Sequence, residues 1–145
     1  MNDTPNTRMI DRWFPVAAVD EACGTPTGSG RIEKAIFTWF ASRPIAQARA
    51  AALTSLLPDD PALKSLIEAA IRHGEKTSIA KLAEHVVGTY GGRFPVVLDM
   101  FSGRAIIPLE AARAGANAIG KCLSKINFIL IAKSLDDPFN ILNQG

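Results

Sequence analysis

The chain has 145 residues, about the size of one ordinary domain, and its 48% hydrophobic content is typical of a protein that folds around a core. Sixteen basic residues against fourteen acidic ones leave a formal charge of +2, too small to announce a nucleic-acid partner. Cys23 and Cys122 form no C-x-x-C pair, and no apolar stretch has signal-peptide flanks or spanning length, so a reduced, cytoplasmic protein without membrane contact is expected.

Residues 1–30 read as a loop-rich arm, in which prolines, glycines and short polar clusters surround an apolar patch of Met9, Ile10, Trp13, Phe14 and Val16. An arm of this kind docks on something. Residues 31–92 read as a helical module of about four short helices. In the first, Ile32, Ala35, Ile36, Trp39 and Phe40 recur at helical spacing and make one apolar stripe. Ser42 and Pro44 interrupt it, because the residue before a proline is pushed out of helical angles, and a second helix restarts near Pro44. In "DDPALKSLIEAAIRHG", Asp60 is the expected cap, Pro61 the first helical residue and Gly74 the terminator, around a stripe of Leu63, Leu66, Ile67, Ala70 and Ile71. The last helix, "TSIAKLAEHVVGTYGG", offers Thr77 or Ser78 as cap, turns Ile79, Leu82, Ala83, Val86 and Tyr90 inward, and stops at Gly91-Gly92.

From Arg93 the pattern changes. "FPVVLDMF" is a continuous β-branched and aromatic run, which predicts a parallel strand buried on both faces and ending at Asp99. "SGRA" turns, "IIPLEAARAG" reads as a helix with Pro108 in its first turn and Gly115 as its stop, and "ANAIG" opens a second strand. The expected class is α/β: a helical module, then the β-turn-α-β order of a Rossmann-like unit over residues 93–145.

Several residues have a plain structural reading beside a functional one. Trp39 and Phe40 sit in an apolar stripe, so core packing comes before base stacking. Arg43 and Arg49 flank a helix start and are the candidates for phosphate contact, although six residues apart they do not lie side by side on an ideal helix. "TGSGR" lacks the lysine and spacing of a phosphate-binding loop and reads as a connector. His73 and His85 fall on separate helices with no Cys or Asp at ligand spacing, so no metal site is expected.

"DMFSGRAIIPLEAARAG" resembles the first motif of S-adenosylmethionine-dependent methyltransferases, D-x-F-x-G-x-G after the first strand: Asp99, Phe101 and Gly103 match, and Ala105 stands at the second glycine. The continuation "PLEAARAGA" is similar to adenine-specific DNA methylases. Upstream, "EKAIFTWFASRPIAQARAAALTSLLPDDP" resembles the amino-terminal domain of unknown function that precedes the catalytic domain of such methylases, through Trp39, Arg43, Pro44, Ala48 and Arg49. The two blocks stand in the family's order and cover residues 9–120.

The resemblance implies that Asp99 and the turn through Gly103 and Ala105 face the methionine end of S-adenosylmethionine, with Phe101 lining the pocket. The family's second acid, which binds the ribose, is replaced by Lys121-Cys122. The family's Asp/Asn-Pro-Pro-aromatic loop, which holds a flipped adenine, is also not matched. "DDPF" at 136–139 lacks the second proline and reads as a surface turn, so no catalytic residue is assigned. The expected function is therefore the amino-terminal part of a DNA adenine methyltransferase from restriction-modification or phage defence, truncated before catalysis is assembled and with its cofactor binding lost. Partners implied are DNA, and a complementing polypeptide or self-association. The alternative is a non-catalytic helical module that binds a partner protein or DNA.

Overall fold

The computed structural model describes residues 7–24 and 44–121, and the backbone of 129–132. The stripe from Ile32 to Phe40, Arg43, Cys122 and the "DDPF" tetrapeptide lie outside the described residues.

The arm docks through its backbone as well as its side chains. Met9 is fully buried, its N–H donating to the Leu57 carbonyl at 3.1 Å. The Arg8 guanidinium lies over the Tyr90 ring, 4.9 Å from its centre, and the Lys64 ammonium lies 5.3 Å from the Trp13 ring. Ile10, Phe14 and Val16, from the same predicted patch, stay exposed. Helix α1 (Val16–Gly24) forms where the sequence reading has only loop. It buries just Ala18 and Val19, a stripe too short to register as a period, and the usable signals were Pro15 before its first turn and Gly24 at its end. Arg72 ties α1 to the helix beneath it, donating to Glu21 at 2.7 Å and to Glu68 at 2.8 Å, and both bonds hold its pKa above the ordinary arginine value.

Helix α2 (Ile45–Leu56) restarts at Pro44 as predicted. A short 3-10 turn, Pro61–Leu63, leads into α3 (Lys64–His73): the Asp60 carboxylate accepts from the Ala62 N–H at 2.9 Å, and Gly74 ends the helix at φ +60°. Leu63, Ile67, Ala70 and Ile71 of the predicted stripe are buried.

Helix α4 (Lys76–Thr89) begins ahead of its predicted cap. The Ser78 hydroxyl donates to the Glu75 carboxylate at 2.6 Å instead of closing the helix end, so Glu75 becomes the capping position. That bond, then one from Thr77, pulls the Glu75 carboxyl below its usual range. A depressed carboxylate stabilises the fold above its unfolded pKa, and the contribution is lost as pH falls through the folded value. Between about pH 6 and about pH 3, Glu75→Gln should lose less of its urea midpoint than the unmodified chain. Equal losses would show that the Ser78 contact has no weight in solution.

Strand β1 (Val96–Asp99) pairs in parallel with β2 (Asn117–Lys121) through the crossover helix α5 (Ile106–Arg113), with Leu98 opposite Ile119. Strand β3 (Ile129–Ala132) runs antiparallel to β2, because a parallel return needs a dozen or more residues and only 122–128 intervene. The sheet is therefore mixed, in the order β1-β2-β3. Helix α5 covers one face, where Ala118 is fully buried and Gly120 lies against Pro108. The prediction that "FPVVLDMF" is buried on both sides does not hold: Val96 and Leu98 are 67% and 61% exposed, because α5 packs on only one face of the strand.

This is a mixed α/β protein. One apolar cluster runs from Met9 through Leu53, Ile67, Leu82 and Val86 to Ala111 and Ala118, so the core crosses the compositional boundary at residue 92. No helix among the described residues is long and apolar enough to cross a membrane.

Candidate cofactor turn

The chain leaves β1 through residues 100–105 and enters α5. Asp99 holds the start of this turn: its Oδ1 accepts from the Phe101 N–H at 3.0 Å, a bend that a short carboxylate side chain makes with the backbone two residues on. The Ser102 N–H donates to the Lys121 carbonyl at 3.1 Å and fastens the turn to the end of β2. The Ala105 N–H closes it on the Ser102 carbonyl at 2.6 Å.

Gly103 at φ +49° and Ala105 at φ +60° both adopt left-handed backbone. For glycine this is free. For alanine it costs about 1–2 kcal/mol, and Ala105 stands where the sequence motif has its second glycine. The site thus keeps the backbone shape of a glycine turn with a methyl group added. Ala105 is also the cap of α5 and offers no side-chain acceptor, so the first N–H groups of that helix, at Ile106 and Ile107, point toward the turn, and Pro108 contributes none. Gly120 makes the turn's close approach to the sheet possible: a Cβ there would stand 2.9 Å from Pro108 Cγ and 3.0 Å from Ser102 Cβ.

The residues present fit one end of S-adenosylmethionine. A carboxylate at the strand end and N–H groups at a helix start suit an amino-acid moiety carrying both charges. They do not fit the ribose end, since β2 finishes at Lys121, a cation in place of the expected acid. Phe101 is 75% exposed, so its ring stands out from the turn and lines no enclosed wall.

Beneath the turn lies a charge cluster that joins the two halves of the chain. Arg49 of α2 donates from Nε to Glu110 Oε2 of α5 at 2.7 Å and from Nη1 to the Ala70 carbonyl at 3.1 Å. Arg113 donates to the other carboxylate oxygen of Glu110 at 2.6 Å. Glu110 and Arg49 are both buried, while Arg113 is at the edge. The contact with Ala70 places a cation at the end of α3, where the helix dipole favours it. The sequence reading put Arg49 forward for phosphate contact; the structure turns its guanidinium inward, to Glu110 and α3. Among the described residues, no three His, Cys, Asp or Glu side chains gather to hold a metal ion.

Residues 13–84 match the model of a family described as "Protein of unknown function (DUF1156)". The DUF1156-like stretch takes in part of the arm, α1, α2, α3 and most of α4, and stops before β1. No curated protein and no solved structure matches the chain. Arg49 belongs to the DUF1156-like stretch and Glu110 lies beyond it, so the buried ion pair fastens that stretch to the helix that carries the turn.

The sequence reading missed Glu110 and Gly120. Glu110 left a signal, since it is an acid on the same helical stripe as Ala111 and Ala114, and Arg49 likewise interrupts the alanines of α2. Gly120 left none, because a glycine in a short strand has no fixed meaning until the neighbour is known.

Proposed function

We propose that this chain is the amino-terminal part of an S-adenosylmethionine-dependent DNA adenine methyltransferase and does not transfer methyl groups by itself. The observation that carries the reading is an ordered pair of features. A DUF1156-like stretch is followed by a parallel strand, a left-handed turn and a helix that bear Asp99, Phe101, Gly103 and Ala105. In this reading the cofactor would supply a sulfonium methyl group, and the residues here only hold its amino-acid end: Asp99 facing the ammonium, the start of α5 facing the carboxylate. DNA is the partner, restriction-modification or phage defence the setting, and the cytoplasm the compartment.

Two departures weaken the hold. The Ala105 methyl group crowds the approach to the turn, and Lys121 cannot accept from ribose hydroxyls, which removes a hydrogen bond to a charged group worth about 1.5–3 kcal/mol. Binding by the unmodified chain should therefore lie in the millimolar range or weaker. Ligand-detected NMR at millimolar S-adenosylmethionine should show Ala105→Gly binding about tenfold more tightly, a change of about 1.4 kcal/mol. No gain in Ala105→Gly would remove the cofactor reading, and micromolar affinity in the unmodified chain would overturn the weakened site. Incubation with labelled cofactor and unmethylated DNA should give no incorporation above a boiled control; reproducible labelling of adenine would refute the inactive reading.

A further inference from the structure

Helix α5 is short and is held by three elements. Its eight residues rise about 12 Å, so a shift at Glu110 is carried to its first turn, where Ile106 stands four residues earlier on the same face. Toward the sheet there is no slack, because Gly120 lets Pro108 approach until an added Cβ would stand 2.9 Å from Pro108 Cγ. Just past its end, Gly115 abuts α4, with the Ala83 carbonyl oxygen 3.0 Å from where a Cβ would be. Toward α2 it is tied by the buried Arg49–Glu110 pair, 2.7 Å from Nε to Oε2.

Arg49 is itself anchored. Its Nη1 donates to the Ala70 carbonyl at the end of α3 at 3.1 Å, and a Cβ on Gly74 would stand 3.2 Å from the same nitrogen, so the guanidinium has no room to follow α5 if the helix shifts. Glu110 is equally committed: it is 1% exposed, with Oε1 taken by Arg113 at 2.6 Å and Oε2 by Arg49. A buried ion pair adds little net stability over apolar residues of similar volume. What apolar residues do not reproduce is the fixed direction of hydrogen bonds between a planar guanidinium and a carboxylate. We propose that Arg49 is a positioning residue for the turn at 100–105. Acting through Glu110, it sets the axial position and rotation of α5, and with them the direction of the Ile106 and Ile107 N–H groups. The DUF1156-like stretch thereby controls how the turn meets its ligand. That this ligand is the amino-acid end of S-adenosylmethionine rests on the methyltransferase reading; the positioning itself does not.

The test separates stability from geometry. In the Ala105→Gly chain, adding Arg49→Met and Glu110→Leu together should keep most of the urea midpoint of the parent. It should nevertheless move the amide resonances of Phe101 and Ser102, whose N–H groups are bonded to Asp99 and to the Lys121 carbonyl. Affinity for S-adenosylmethionine, read by ligand-detected NMR, should fall by about 2- to 30-fold, the range in which a coupled contact modulates a distant site. Glu21→Ala, which breaks an exposed bond to Arg72, should leave both the amides and the affinity unchanged. If the double replacement does not fold, Arg49→Lys decides: it keeps the charge but loses the forked donor, and should move the same amides. The amide comparison needs no cofactor, so it decides the positioning even where Ala105→Gly fails to bind, the outcome that removes the cofactor reading. Phe101 and Ser102 amides that stay in place in either variant, or a double replacement that binds as tightly as its parent, would overturn the proposal.

Discussion

Glu110→Ala is expected to cost about 3–5 kcal/mol of folding stability, the penalty for leaving one member of a buried ion pair without its partner. Arg49 would remain in the interior with only the Ala70 carbonyl at 3.1 Å, whereas Arg113 lies at the edge of the cluster. Against a total stability of about 5–15 kcal/mol for a domain, this is a substantial share of what holds the protein folded. The double replacement Arg49→Met, Glu110→Leu should recover most of the loss, because apolar residues of similar volume carry no desolvation cost. Glu21→Ala, which removes an exposed carboxylate from Arg72, should cost less than about 1 kcal/mol. Urea denaturation of the four proteins measures these differences. A loss below about 1 kcal/mol for Glu110→Ala would mean that the pair is hydrated in solution.

Gly115→Ala should destabilise the protein by about 2–4 kcal/mol, from two sources that a second glycine separates. At φ +86° any side chain meets left-handed strain, and here the added Cβ would also stand 3.0 Å from the Ala83 carbonyl oxygen and 3.2 Å from its Cβ. Those atoms belong to α4, so relief requires α4 and the end of α5 to move apart. Gly91, at φ +65° with nothing within 4 Å, carries the conformational strain alone. Gly91→Ala should therefore cost only about 1 kcal/mol. Thermal denaturation of both variants would show the difference as two distinct losses in Tm. Equal losses would show that the contact between Ala83 and Gly115 is not close in solution.

The same division between local angles and remote neighbours explains what was legible. Pro44 as a helix start, Asp60 as a cap, Gly74 and Gly115 as stops, Pro108 in the first turn of α5 and a strand through "VVLD" were all readable, because backbone angles and bonds within a few residues decide them. The order of strand, glycine turn and helix was readable for the same reason, and with it the positions of Asp99, Phe101, Gly103 and Ala105. Thr77 or Ser78 suits the cap by local pattern, but the Ser78 hydroxyl is equally able to donate to an acid three residues before it, and Glu75 takes the capping position. What only the tertiary structure decided concerns which elements meet. Arg49 and Glu110 lie 61 positions apart, and nothing local indicates that their helices cross at those two residues. The exposed row on β1 has the composition of a buried strand, but burial depends on what is laid over a face. By itself the sequence determined the local conformations and the order of the motif; packing decided which charges went inside, how close glycines could bring two elements, and which apolar face was left open.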